Sequence, residues 1–154
     1  MELQRGTGGE SPRRYPGVGV GVGVAVIVRD EDGRVLLGRR ARGRYAGLWC
    51  IPCGRVEWDE DVRAAAIREL REETGLDVEL AGIAAVHSNF HERERQTVGI
   101  WFWGRVSAGA PHPADGGFTE LGFFGPGDPP PLAFPTDELV LRDVSAGLMV
   151  EHSG

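Results

Sequence analysis

The chain has 154 residues, the size of one domain rather than two. Apolar residues make up 41% and charged residues 26%, a balance that suits a globular protein with a packed core. The formal net charge of −6 excludes a protein that coats nucleic acid or an anionic membrane, because both would repel it.

Residues 1–16 are rich in Gly, Ser, Pro and Arg and have little to bury. A disordered leader is expected there, followed by one domain over 17–154. Val18, Val20, Val22, Val24, Val26 and Val28 then alternate with Gly19, Gly21, Gly23, Ala25 and Ile27. Period two predicts a strand with its Val side toward a core. Its Gly side has no side chains, so another group can approach the backbone closely. A weak, partly frayed strand is the alternative. Asp30-Glu31-Asp32-Gly33 predicts a hairpin turn before a strand over 34–39. Arg39, Arg40, Arg42 and Arg44 follow in a Gly-containing loop. Together they suit a polyphosphate substrate, and singly they suit solvent. A short strand is expected over 51–56. The best helix pattern covers 59–74, capped by Asp59 or a neighbour and stopped by Gly75, with Val62, Ala66 and Leu70 on one apolar face. Strands are expected over 79–86 and 96–106, joined by a polar link at 87–95. A short strand at 121–124, a Pro-rich stiff loop at 125–135 and a final helix over 136–149, capped by Thr136, complete the chain.

All 17 basic residues are Arg, and Lys is absent. That excludes a P-loop, a Schiff-base lysine and a protein-kinase site. No G-x-S-x-G nucleophile elbow occurs. The start has no apolar signal region. The longest apolar stretch, 18–28, has 11 residues, against the roughly 20 of a membrane span. Two cysteines make no disulfide framework. A cytoplasmic protein is expected.

Chemistry concentrates on the first helix. Glu69, Glu72 and Glu73 stand at i, i+3 and i+4, on one face. Like charges this close need an offset, and a divalent cation with oxygen ligands, Mg²⁺ or Mn²⁺, supplies one. Glu57 and Glu60 lie just upstream, and Arg68 and Arg71 are interleaved. A solvated charged helix face would show the same spacing.

The whole stretch reads Gly54, five residues, Glu60, seven residues, then Arg68-Glu69-Leu70-Arg71-Glu72-Glu73-Thr74-Gly75-Leu76. It resembles the Nudix box of the MutT-like hydrolases, G-x5-E-x7-R-E-U-x-E-E-x-G-U, at every fixed position within 23 residues. The resemblance implies an α/β fold, an α/β/α sandwich with a mixed sheet and a box helix. It implies Mg²⁺-dependent hydrolysis of a nucleoside diphosphate linked to another moiety, with a small nucleotide as partner. Glu69, Glu72 and Glu73 match the metal-binding carboxylates, and Arg68 the Arg that orients a catalytic Glu. Glu60 matches the box Glu that supports the metal shell or loop. Gly54 matches the Gly whose carbonyl joins the site. The base varies within the family, and Glu69 and Glu120 are the candidates, Glu120 as a residue of a loop after the 96–106 strand. Glu57 and Arg39, Arg40 and Arg44 are candidates for substrate binding. Members are often homodimers, but no interface is legible here. Two positions depart from the common pattern: Cys53 stands where a Gly often precedes the box, and Asp59 stands where many members have Gly.

Other readings compete. A Nudix domain that binds a nucleotide and regulates without turnover is one, although the intact Glu set argues against it. Trp49-Cys50-Ile51-Pro52-Cys53 resembles a thioredoxin-like motif, but no helical pattern follows it, and in a strand the two thiols would face opposite sides. Cys50 and Cys53 with His87 and His91 echo a zinc site at the wrong spacing. Substrate markers beyond the box are weak: the Pro of many ADP-ribose hydrolases is missing near 91–93. A sugar nucleotide such as ADP-ribose and a nucleoside triphosphate both stay open.

Overall fold

The computed structural model describes residues 19–92 and 94–148; the expected leader at 1–16 lies outside them. In chain order the elements are β1 (Gly21–Val28), β2 (Val35–Arg40), β3 (Trp49–Cys50), β4 (Cys53–Arg55), α1 (Val62–Thr74), β5 (Asp77–Asn89), β6 (Thr97–Ala108), β7 (Phe118–Phe124) and α2 (Pro135–Ser145). A four-stranded mixed sheet has the order β4-β1-β6-β5, with β1 parallel to β6 and the other pairs antiparallel. A second sheet runs β3-β2-β7 and is antiparallel.

Strand β1 explains the layering. Val24, Val26 and Val28 pack against Ala65, Ala66 and Leu70 of α1, with Phe102 between them. Ala25 and Ile27 face the other way, toward Trp101, Trp103 and the α2 residues Val140 and Leu141. Both faces of the sheet are therefore covered, one helix to each, which is why β1 is apolar nearly throughout. The expected α/β/α sandwich with a mixed sheet is the architecture found.

Local chemistry sets the ends. Asp30 Oδ1 accepts the N–H groups of Asp32 and Arg34, and Gly33 takes a left-handed φ of 78°, which closes the turn into β2. The helix cap is Asp61, whose carboxylate accepts from the N–H groups of Arg63 and Ala64. Asp59 instead turns the preceding loop at φ 61°. Gly75 ends α1 in the left-handed region, as expected.

Several expected boundaries move. The strand at 51–56 is replaced by β3 and β4, because Ile51-Pro52 carries the chain from one sheet to the other. Arg39 and Arg40 belong to β2, not to the loop after it. β5 runs on through His87 to Asn89, because β6 pairs with it that far. Thr136 does not cap α2: Phe134 holds that position and Pro135, with its φ preset for a helix, makes the first turn. The helix closes at Ser145, short of the expected 149.

The Asp61 cap supports the helix that carries the acidic face. Asp61→Ala is expected to lower unfolding free energy by about 1 kcal/mol, and Asp61→Asn by much less, in urea titrations.

Candidate active site

The acidic face of α1 is organised by one guanidinium. Arg68 Nε and Nη2 donate to the two oxygens of Glu60 at 2.6 and 2.9 Å, and Nη1 donates to Glu69 at 3.0 Å and Glu72 at 3.3 Å. Nη2 also reaches the Arg55 carbonyl at 3.1 Å, and Glu57 stands 3.8 Å away. The loop 56–61 thus folds back onto the helix to supply a counter-charge. The hydrogen bonds from Arg68 pull Glu60 down to about 2, and the same bonds, accepted by Glu60, hold Arg68 firmly protonated.

Glu69 and Glu73 face the opposite problem. Burial raises Glu69 against the pull of Arg68, and Glu72 and Asp115 add repulsion. Burial pushes Glu73 up to about 10, with Cys53, Glu69 and Asp115 adding to it and Arg40 opposing. Glu73 Oε1 is enclosed and has no hydrogen-bond partner. Gly54 on β4 lies flat on Glu69: a Cβ there would collide with the Glu69 carboxyl. This Gly therefore permits a backbone approach that no side chain allows.

Asp115 was not among the residues picked out from the sequence. It reaches the cluster because the end of α1 leaves carbonyls without partners. The loop 109–117 satisfies them, with His112 N–H donating to Thr74 O at 3.0 Å and Ala114 N–H to Glu73 O at 3.2 Å. Asp115 follows directly. The sequence signal was an acid in the loop after β6, but Glu120 drew that role. Glu120 lies not in a loop but within β7, because Arg39 pairs with it across β2. Their side chains meet at 3.6 Å, both half-exposed.

The Gly side of β1 opens onto a cavity of about 330 Å³. Gly23 and Gly99 lie in its floor, and Cys53, Gly54, Arg40, Asn89 and His91 are among its walls. Of the candidate arginines, Arg40 alone lines it, with its guanidinium 5.0 Å from the Phe134 ring. Arg44 sits over Tyr45 on the surface, and Arg39 donates to Gly47 O. Asn89 and His91, which the sequence offers as polar residues able to touch substrate or simply as loop surface, both line the cavity; Phe134 escaped the sequence reading, since an aromatic side chain carries no motif of its own.

The cysteine motif is not at a helix N-terminus. Cys50 is in β3 and Cys53 in β4, and the two thiols are hydrogen-bonded, which with burial pushes Cys53 up. They do not face opposite sides as a continuous strand would require, because the Ile51-Pro52 crossover folds them together. His87 packs edge-on against Trp101, and His91 packs against both Tyr45 and Phe134, which also touch each other.

A metal fits this donor set by its chemistry. Two half-buried carboxyl groups crowd each other, one enclosed oxygen has no partner, and Gly54 lets the β4 backbone lie directly against Glu69. Among the described residues, no three acidic, His or Cys side chains converge on one point as they stand. Arg68 draws Glu69 and Glu72 to itself in this arrangement.

A family model for the NUDIX domain matches residues 19–144. The chain belongs to the Nudix family. It is similar to the CTP pyrophosphohydrolase of Escherichia coli, at 41% identity over 63 residues, covering 40% of this chain and 47% of that protein. It is also similar to the ADP-ribose pyrophosphatase of Methanocaldococcus jannaschii, at 30% over 114 residues, covering 73% and 67%. The chain spans about half or less of the length of the first relatives it matches. Among solved structures it resembles a MutT NUDIX hydrolase from Burkholderia pseudomallei, with TM-score 0.73, 30% identity and coverage of 81% and 98%. The box residues of this Nudix chain thus sit in a Nudix fold. No helix among the described residues is long and apolar enough to cross a membrane.

Asp137 anchors the cavity. It is buried, and accepts from Ile51 N–H and from Trp101 Nε1–H, both at 3.0 Å. Burial raises it to about 6 despite these donors and Arg40. A carboxyl raised on folding binds its proton more tightly in the native state. Its contribution is therefore full below about pH 4, its unfolded value, and is lost as pH rises through about 6. Urea midpoints of wild type minus those of Asp137→Asn are expected to fall across that window, and a flat difference would refute the assignment.

Proposed function

We propose that this chain hydrolyses a pyrophosphate bond in a small nucleotide, either a nucleoside diphosphate linked to another moiety such as ADP-ribose, or a nucleoside triphosphate. The observation that carries the reading is the unpartnered Glu73 Oε1, enclosed beside Glu69 under Gly54. Glu69, Glu72 and Glu73 would hold Mg²⁺ or Mn²⁺, the Gly54 carbonyl would join them, and Glu60 would steady that arrangement through Arg68. The bound cation neutralises phosphate charge and makes a bound water more acidic. The chain's own groups do the rest. Arg68 fixes one oxygen of Glu69, and its other oxygen faces Gly54. Glu69 is therefore oriented to accept the proton of the attacking water. Asp115 stands beside it as the carboxylate of the β6–β7 loop. Glu120 is held in β7 with its carboxylate beside Arg39. Arg40, at the junction of the acids and the cavity, holds a phosphate oxygen, and the cavity takes the nucleoside.

The names of the relatives support this class of bond: a CTP pyrophosphohydrolase and an ADP-ribose pyrophosphatase each carry it. Hydrolysis of a nucleotide panel with Mg²⁺, repeated with EDTA, is expected to give metal-dependent cleavage. Glu73→Gln is expected to lower kcat at least ~100-fold while keeping the melting temperature of the metal-free protein near that of wild type, since burial already keeps the Glu73 carboxyl protonated there. Full activity in Glu73→Gln would overturn the metal site. Absence of any turnover, with nucleotides still raising the melting temperature, would favour the regulatory domain.

A further inference from the structure

The cavity has an end that the acid cluster does not use. Gly54 is on β4 and Asn89 on β5, the two edges of the four-stranded sheet. With β1 and β6 between them, three strand spacings, about 14 Å, separate the two strands, and the register sets Gly54 in line with Val86, so Asn89 lies a further three residues, about 10 Å, along β5. That diagonal suits an extended nucleotide lying obliquely across the sheet, its phosphates at Gly54 and its base at Asn89. The floor between is low: Gly23 has no side chain, and at Gly99 the Trp101 ring lies directly against the backbone, where a Cβ would stand 2.7 Å from it.

Asn89 is prepared for a partner. The register sets it opposite Thr97, and its Nδ2 donates to Thr97 Oγ1 at 2.8 Å. That bond fixes which way the amide faces. Its Oδ1 is left enclosed with no donor. Arg40 Nε and His91 Nδ1, on the same cavity, also lack partners. The Phe134 ring stands between their two side chains, 5.0 Å from the Arg40 guanidinium and 5.6 Å from the His91 ring. An aromatic ring with unpartnered polar atoms beside it suits a flat ligand rich in nitrogen.

We infer that Asn89 reads the base of the substrate, its carbonyl oxygen accepting from an exocyclic amino group. The substrates are then adenine or cytosine nucleotides. This rests on the hydrolase reading for its chemistry but not for its recognition, so the test separates the two.

Calorimetry is run with ADP and with purine-riboside 5′-diphosphate, which lacks only the amino group, and likewise with CDP and its desamino analogue. Wild type is expected to bind at least one amino-bearing ligand ~10-fold or more tightly than its analogue, because the analogue leaves a buried acceptor unpaired. Asn89→Ala is expected to remove that difference, and Thr97→Val, which frees the amide without deleting it, to reduce it. Metal-dependent cleavage of ribose 5-triphosphate, which has no base, is expected to stay within ~2-fold in both variants. Equal binding of both amino-bearing ligands and their analogues by wild type overturns the inference, as does an equal loss on the base-free substrate. Preserved discrimination in a protein that cleaves nothing supports Asn89 and removes the hydrolase reading alone.

Discussion

Repulsion among buried carboxylates is the constraint around which this site is arranged. A helix packed on a sheet must bury one face, and here Glu69 and Glu73 lie close enough to that face to lose their water. Arg68 meets part of the cost, but its donors are divided among Glu60, Glu69 and Glu72. Arg40 approaches from β2 and opposes the rise at Glu73 without making a bond to it that would satisfy Oε1. The loop 109–117 then adds Asp115 as it closes the end of the helix, and Asp115 raises both acids further. The fold thus gathers more carboxyl groups than its cations balance, and Glu73 keeps its proton in consequence. An arrangement that increases its own repulsion is stable only at a cost, and a divalent cation is the partner that reverses the sign of that cost.

How far this was legible in the sequence depends on whether a residue's role is set by near or distant neighbours. The box is local: from Gly54 to Leu76 each position acts through helical spacing or a turn, so spacing alone revealed the acidic face, Arg68 and the Gly75 stop. Strand β1 was legible for the same reason, because alternation is a local period. What failed was set at long range. Glu120 looked like a loop acid until its pairing with β2 drew it into β7. Cys50 and Cys53 looked like opposite faces of one strand, because nothing local shows that Ile51-Pro52 changes sheets. Asp115 has no pattern at all: it arrives with a loop whose course is decided by unpaired carbonyls on a helix about forty residues earlier. Thr136 lost the cap to its neighbour because Pro135 fixes the first turn.

Asp137 shows how the same fold uses a buried charge differently. Glu73 is half-buried with one enclosed oxygen unpaired, whereas both oxygens of the buried Asp137 are used. One holds the backbone of Ile51, next to the crossover that delivers Cys53 and Gly54 to the first sheet. The other holds the indole of Trp101, a wall of the cavity. A single carboxylate at the start of α2 therefore ties together the segment that carries Gly54 and the sheet beneath the cavity. Satisfied polar groups fix a geometry, and unsatisfied ones await a ligand. The two acids divide along that line.

The glycines of β1 connect these parts. A strand buried on both faces needs apolar side chains on both, and the Val side supplies one face with its contacts to α1. On the other face Ala25 and Ile27 reach the α2 core, but Gly23 leaves the sheet bare where the cavity begins. Larger side chains there would strengthen the strand and fill the cavity. The chain instead keeps a floor of backbone, edged by Gly54 at one side of the sheet and by Asn89 at the other. Strand propensity is given up where the cavity lies and retained where the core lies, within a single alternating run. The same period that marks the strand in the sequence also marks which of its faces was left open to a ligand.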